Sequence, residues 1–326
     1  MKTTGRIVVL AALLLALAFS GLSAQTPVEI LAGDLSDFLE QASREITPHM
    51  QTSAITSLEA GSAEIGSFPH MYFSLGLGAM FTDGIADVID AEYTIDVEGI
   101  LEDEAGDNEA YDLIRDFLPL PVVRLTYGIG LLRGYEANLQ LMTIPSALTD
   151  ATGVEGASFG LTNVGGRVRK TVIPDGPQTP AVSIGVGYVY SSFNLGYELK
   201  ELESVDVGGT EIGITGGEIT YELVTNSAGV DVRLSEKVGP IIPYIGVSSW
   251  YQWSSFEGGV DGLAGTVANT SVGPVNTLRD FKDNDLNTIV SAGIDLKLGF
   301  FVYFLEGSYA FSTRAPAAYT GVRFQF

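Results

Sequence analysis

The sequence predicts an all-β fold: an antiparallel up-and-down β-barrel of about ten strands with an apolar outer face, preceded by one short helix. Three observations predict it. Segments of about ten residues or more alternate apolar with small or polar residues, so that each, as a strand, presents one apolar and one polar face. The 326 residues are 46% hydrophobic with 39 Gly, 14 Tyr and 16 Phe, which suits many short greasy-faced strands. Beyond residue 24, however, no apolar run is long enough for a membrane helix. The gaps between segments alternate short and long, the rhythm of hairpins following one another round a ring.

The chain opens with Lys2 and Arg6, continues in an unbroken apolar run over 7–19, and reaches Leu22-Ser23-Ala24. That run is too short to span a bilayer, so residues 1–24 are predicted to be a secretory signal peptide cleaved after Ala24. Residues 25–67 form an N-terminal helical segment. The helix is predicted over 34–48, with Asp34 as N-cap, Pro48 as its end, and Leu35, Phe38, Leu39, Ala42 and Ile46 in one apolar stripe. A stripe of this kind must be covered. Two readings are open: the helix packs on the periplasmic rim, or it enters the barrel as a plug with Leu35, Phe38, Leu39 and Ile46 against a glycine-lined wall.

Residues 68–326 are assigned to the barrel. The first strand, 69–81, turns Met71, Phe73, Leu75 and Leu77 outward and His70, Tyr72, Ser74, Gly76 and Gly78 inward. The second, 121–131, turns Arg124, Thr126, Gly128 and Gly130 inward, and the third, ending at Ile144, does so with Glu136, Asn138 and Gln140. The fourth, 157–173, places Arg167 and Arg169 inward and breaks phase above them, which predicts a bulge at Gly165-Gly166. The fifth, 180–199, has Ile184, Val186 and Tyr188 outward, with Ser183, Gly185 and Gly187 inward; the sixth, 217–234, ends with Asp231 and Arg233 inward. The seventh, 241–256, carries Trp250 and Trp253 toward the aromatic girdle. The eighth, 286–298, holds Ser291, Gly293, Asp295 and Lys297 inward, the ninth, 301–312, holds Glu306, and the tenth closes the chain. Residues 198–217 could hold a further hairpin, which would make the count twelve.

Connections after the second, fourth, sixth and eighth strands are short, and those after the first, third, fifth and seventh are long, so the chain of the barrel starts and ends in the periplasm. The net charge of −23 is concentrated in one long connection, where 83–116 holds thirteen carboxylates and a single Arg115. It reads as a solvated, self-repelling external loop rather than a cation site, since its spacing fits no defined loop motif. Clustered cations for nucleic acid are missing. No cysteine is present, so there are neither disulfides nor thiolate chemistry.

Two inward sets remain. Gly76, Gly78, Gly128, Gly130, Gly185, Gly187 and Gly293 leave the lumen wall bare, either to seat the helix or to make room for long side chains of neighbouring strands. Glu136, Arg167, Arg169, Asp231, Arg233, Asp295, Lys297, Glu306 and Arg323 form a mixed-charge layer toward the periplasmic end, where opposite charges must pair. No enzyme is predicted. The only histidines are His49 and His70, and the G-x-S-x-G spacing at 156–160 lacks both a following helix and a later His. No cofactor or metal is predicted either.

The last nine residues, Ala318-Tyr319-Thr320-Gly321-Val322-Arg323-Phe324-Gln325-Phe326, alternate to the end, with Val322, Phe324 and Phe326 on one face. This strand resembles the C-terminal strand of bacterial outer-membrane β-barrel proteins, whose final Phe is read by the barrel-assembly machinery. The resemblance implies an outer-membrane location, Phe326 as assembly signal, and outer-membrane lipid and that machinery as partners. An N-terminal segment within the barrel is similar to the arrangement in long-chain fatty-acid transporters, although those are larger barrels and no Asn-Pro-Ala motif follows the leader here. The function expected is a narrow gated channel or transporter for a small-molecule solute; the alternative is a non-transporting structural or surface-interaction barrel.

Overall fold

The computed structural model describes residues 26–56, 58, 61–63, 69–82, 119–144, 157–177, 179–199, 202–207, 210–267 and 270–326. The expected signal peptide, the acidic connection 83–116 and Gly156 lie outside them. The described strands are β1 (His70–Phe81), β2 (Pro119–Gly130), β3 (Tyr135–Ile144), β4 (Ala157–Ile173), β5 (Ala181–Glu198), β6 (Leu202–Val207), β7 (Thr210–Ser235), β8 (Ile241–Val267), β9 (Thr270–Leu298), β10 (Phe301–Ala310) and β11 (Ala315–Gln325).

Ten of these close into an antiparallel ring. Sequential neighbours pair throughout, β5 pairs β7, and β1 meets β11 from Tyr72↔Gln325 to Met80↔Ala317. Closure leaves no strand edge in the hydrocarbon, where an unpaired backbone amide has no water to bond. The eleventh strand, β6, pairs only with the far end of β7, in line above β5. The extra hairpin at 198–217 therefore exists as a flap and does not enlarge the ring.

Outward residues match the alternation read from the sequence. Met71, Phe73, Leu77, Leu139, Val186, Val232, Ile245, Leu286, Ile294 and Leu305 are all exposed, an arrangement stable only if hydrocarbon surrounds them. One mouth of the ring has short turns: the 3-10 turn Leu132–Gly134, with Arg133 at φ 64°, residues 174–180 and 236–240, and Gly299-Phe300. The connections at the other mouth include the long ones, 83–118 and 145–156, which marks it as the outer mouth.

Three expectations need correction here. β7, β8 and β9 run for 26, 27 and 29 residues, so most of the long connection expected after the seventh strand is sheet. About ten residues cross a membrane, and the remainder rises above it as a curtain on one side of the ring. The alternation persists there with its polarity exchanged. Glu257, Asp261, Asp280 and Lys282 are exposed while Phe256, Val260, Leu263 and Phe281 are buried, so a search for apolar outer faces stops at the membrane boundary. In β4 the inward parity runs unbroken through Gly165, and the register shift falls between Thr171 and Ile173. The apparent phase break is Leu161, an apolar residue on the inward face. Trp250 is fully buried inside the ring, whereas Trp253 faces outward beside Tyr188 and Tyr251, with ring centroids 6.2 and 5.8 Å apart.

The seam is finished by the last residue. Phe326 N donates to Met71 O at 2.8 Å and Met71 N donates to Phe326 O at 3.0 Å, while the Phe326 ring stays exposed. Deleting Phe326 should lower the heat-modifiable fraction in outer membranes far more than Gln325→Ala does. Equal assembly of the two variants would refute the reading of Phe326 as an assembly signal.

Candidate functional site

The ring encloses a helix, α1 (Pro27–Thr56), of 30 residues and about 45 Å. Its start is a capping box. Glu29 N donates to Thr26 Oγ1 at 3.3 Å, Thr26 N donates to Glu29 Oε2 at 2.7 Å, and Pro27 takes the first helical position. Asp34 is thus not the cap, and the Thr26-Pro27-Val28-Glu29 signal was present to be read. Nor does Pro48 end the helix. A Pro in a helix interior costs about 3 kcal/mol, but Gln51, Thr52, Ala54 and Ile55 beyond it are buried against the wall, and Thr52 Oγ1 donates to Pro48 O at 2.8 Å. A helix enclosed by a lumen keeps its course where an isolated one would stop. The helix also does not lie on the periplasmic rim, because its N-terminus is at the outer mouth.

Leu31, Leu35, Leu39, Ser43, Thr47, Gln51 and Ile55, each four residues from the last, are all buried. Four residues overshoot a turn by about 40°, so this line winds round the helix instead of keeping to one face. The contacts wind with it, from β7, β8 and β9 along the outer half to Arg124 of β2 near the far end. The chemistry changes along the way. In the outer half Val28, Leu31, Leu35 and Leu39 join Ile212, Ile214, Tyr221, Phe256, Val260, Leu263 and Phe281 in one apolar cluster. Ser36 Oγ donates to Thr277 O at 2.7 Å, and Arg279 Nε lies 2.6 Å from Asp37 Oδ1. Burial, and then the charge of Asp37, raise the Asp34 carboxyl to about 6, so this part of the seat favours the neutral acid.

The inner half is more polar, although Ala54, Ile55 and Leu58 at its end pack with Val189, Trp250, Ile289 and Ala310. Asn287 Nδ2 donates to Thr52 Oγ1 at 2.7 Å, Gln140 Nε2 to Asn163 Oδ1 at 3.1 Å, and Arg124 Nη2 to the carbonyls of Ser53 and Ala54, each at 3.2 Å. The guanidinium of Arg124 thereby answers carbonyls of the last helical turn, where the macrodipole is negative.

Below the helix the chain is held by its backbone. Arg167 pairs with Asp231 through two hydrogen bonds and reaches Leu58 O at 3.5 Å. Arg169 pairs bidentately with Glu136 at 2.8 and 3.0 Å and donates to Ser62 O at 2.5 Å. Arg233 Nη1 is shared between Glu306, at 3.1 Å, and Gly61 O, at 2.8 Å. Asp295 accepts from Ser62 N at 3.2 Å and lies 3.4 Å from Arg323, while Ser235 Oγ accepts from Ala63 N at 3.0 Å. Eight of the nine lumen charges named from the sequence thus meet as four pairs. The ninth, Lys297, is exposed at the short-turn rim, where it lines a small cavity with His70 and Tyr72.

Leu35, Phe38 and Leu39 are buried and Ile46 is half-buried, but they do not rest on the glycine wall. The glycines make room for neighbouring side chains instead. A Cβ on Gly76 or Gly78 would strike Tyr319, on Gly128 Tyr72, on Gly185 Asp231, on Gly187 Trp250, and on Gly293 Tyr244. Gly130 lies on the same inward face. Arg124, Gln140, Trp250 and Asn287 belong to the site but were not singled out; their inward parity was the available signal. Ser158 of the G-x-S-x-G stretch is exposed at the start of β4, paired with Gly196, whose carbonyl oxygen lies 3.5 Å from its hydroxyl.

No family model and no curated protein matches the chain. Among solved structures, the translocator domain of the autotransporter NalP from Neisseria meningitidis is similar at 8% identity and a TM-score of 0.40, covering 89% of this chain and 97% of that one. The outer membrane protease OmpT from Escherichia coli is similar at 8% identity and 0.39, covering 82% and 100%. CarO from Acinetobacter baumannii is similar at 10% identity and 0.22, covering 77% and 97%. The closed ring, apolar belt and asymmetric turns are those of an outer-membrane β-barrel, which is the class and compartment of this chain. The expectation that it is not an enzyme does not stand, because one barrel in this set is a protease and the architecture therefore excludes no catalysis.

Two outcomes test the site. Asp231→Ala strands the buried Arg167 guanidinium and should destabilise the barrel by about 3–5 kcal/mol, while Lys297→Gln at the rim should change stability by less than about 0.5 kcal/mol. Urea unfolding in detergent reads both. Gly128→Ala should cost about 1–3 kcal/mol by displacing Tyr72, with the helix still protected from protease; loss of helix protection would put the helix, not Tyr72, on that glycine.

Proposed function

We propose that the protein is an outer-membrane channel for small polar solutes, closed by its own N-terminal helix. The observation that carries this is the polar inner half of the helix seat. Thr47 Oγ1 and Gln51 Nε2 on the helix are buried without a hydrogen-bond partner among the described residues, as are Ser191 Oγ, Ser248 Oγ and both amide atoms of Gln252 on the wall. Buried polar groups of this kind need water or an exchangeable partner. A seat for a permanent filler would be apolar, as the outer half of the same helix is. Once the inner half is displaced, the wall left behind offers Gln140, Asn163, Ser191, Ser248, Gln252 and Asn287 to a solute, beside the apolar patch of Val189, Trp250 and Ile289.

A second reading, a barrel that is permanently filled and acts at the surface, is favoured by the apolar cluster that fixes the outer half of the helix. Planar-bilayer conductance separates the two. Deleting residues 27–56 should raise single-channel conductance well above that of the intact chain, provided the product remains heat-modifiable. A second pair of measurements uses Thr52→Cys with Asn287→Cys, whose side chains touch at 2.7 Å in the native protein. The oxidised form should be silent and the reduced form should recover the intact chain's openings. Equal conductance of deletion and intact chain, with no effect of oxidation, leaves the surface reading.

A further inference from the structure

The two ends of α1 fix its direction. At Thr26 the chain is exposed beside the capping box, and within two turns Val28 and Leu31 pack among Ile212 and Leu263, near the tips of β7 and β8 at the outer mouth. Thirty residues on, Arg169, Arg233 and Ser235 hold residues 61–63 at the opposite mouth, from which β1 starts. Between these points the chain lies inside a ring closed by pairing on all sides. We infer that this barrel carries its own N-terminal segment across the outer membrane, so that the start of the helix at Thr26 stands at the cell surface.

The outer mouth stands in water, because the outward faces of the curtain there carry Glu257, Asp261, Asp280 and Lys282, all exposed. Long connections also lie on the external side of such barrels. The polypeptide is retained as well as delivered. The wall grips residues 58 and 61–63 through their main-chain carbonyls and amides, which latches the chain at the periplasmic mouth, and the apolar cluster anchors its other end. A segment placed ahead of Thr26 would be tethered by a helix anchored at both mouths. This inference does not depend on whether the helix ever leaves the lumen, and it stands or falls separately from conductance.

The chain has no cysteine, so single ones report position without background. Glu29→Cys at the helix start, Ser271→Cys at the tip of β9 and Lys237→Cys in a short turn are all exposed positions. With a membrane-impermeant maleimide on intact cells, Glu29→Cys should label as strongly as Ser271→Cys, and Lys237→Cys should label only after permeabilisation. Because Glu29→Cys alters the cap, an epitope inserted between Gln25 and Thr26 gives a second readout, and whole-cell antibody binding is the expected result. Glu29→Cys and the epitope both silent on intact cells that label at Ser271→Cys would overturn the inference. So would labelling of Lys237→Cys on intact cells, which would reverse the barrel.

Discussion

The whole structure follows from one constraint: inside hydrocarbon each backbone amide must find its partner within the protein. Ten strands satisfy it only by closing, and the closed ring then has a lumen somewhat wider than side chains alone fill. Two devices occupy it. Large inward residues lie flat across the glycines of neighbouring strands, as Tyr72 does over Gly128 and Trp250 over Gly187 and Gly229. The space that remains takes a helix, whose own backbone is satisfied internally and which asks the wall for partners only at its ends.

The helix crosses two solvents without leaving the protein. In the bilayer the ring is apolar outside and polar inside, and the helix residues facing it are Ser43, Thr47 and Gln51. Above the bilayer the curtain of β7, β8 and β9 is polar outside and apolar inside, and the residues at the same four-residue spacing are Leu31, Leu35 and Leu39. The exchange of polarity in the sheet and in the helix occurs at one level. Sheet and helix thus match each other along the whole lumen, which is what consistency between local pattern and global fold means here.

The ring was legible because period-two alternation is a property of each strand by itself: Met71 to Leu77 outward and Glu136, Arg167, Asp231 and Arg323 inward need no knowledge of any partner. What escaped depends on tertiary context. Pro48 reads as a helix end unless a wall is known to hold the chain beyond it. Gly128 reads as open wall unless Tyr72 is known to lie across it, and Trp250 reads as a girdle residue unless Gly229 is known to leave room for an indole. The curtain escaped for a different reason, since its alternation was visible but the apolar face had changed sides. The capping box at Thr26 is the exception; it is local and could have been read.

The inner clamp has a property that the outer cluster lacks. Each arginine that grips the descending segment also keeps a carboxylate of the wall: Arg167 with Asp231, Arg169 with Glu136, Arg233 with Glu306. If residues 58 and 61–63 moved away, none of these three guanidiniums would be left uncompensated, and the large penalty for an unpaired buried charge would not arise for them. What would be lost is the burial of one apolar side chain, Leu58, and a small number of charge-assisted hydrogen bonds to carbonyls, each with a net contribution of about 1.5–3 kcal/mol, part of which water entering the lumen would replace. Releasing the outer half would instead expose Leu31, Leu35 and Leu39 at about 1.5–3 kcal/mol for each side chain, with nothing in water to offset it. The two ends of the helix therefore differ in kind. The clamp on residues 58 and 61–63 is a latch whose own three ion pairs survive its release, whereas the last helical turn above it is held by Arg124, which among the described residues has only the Ser53 and Ala54 carbonyls as hydrogen-bond partners, and the outer end is an apolar anchor.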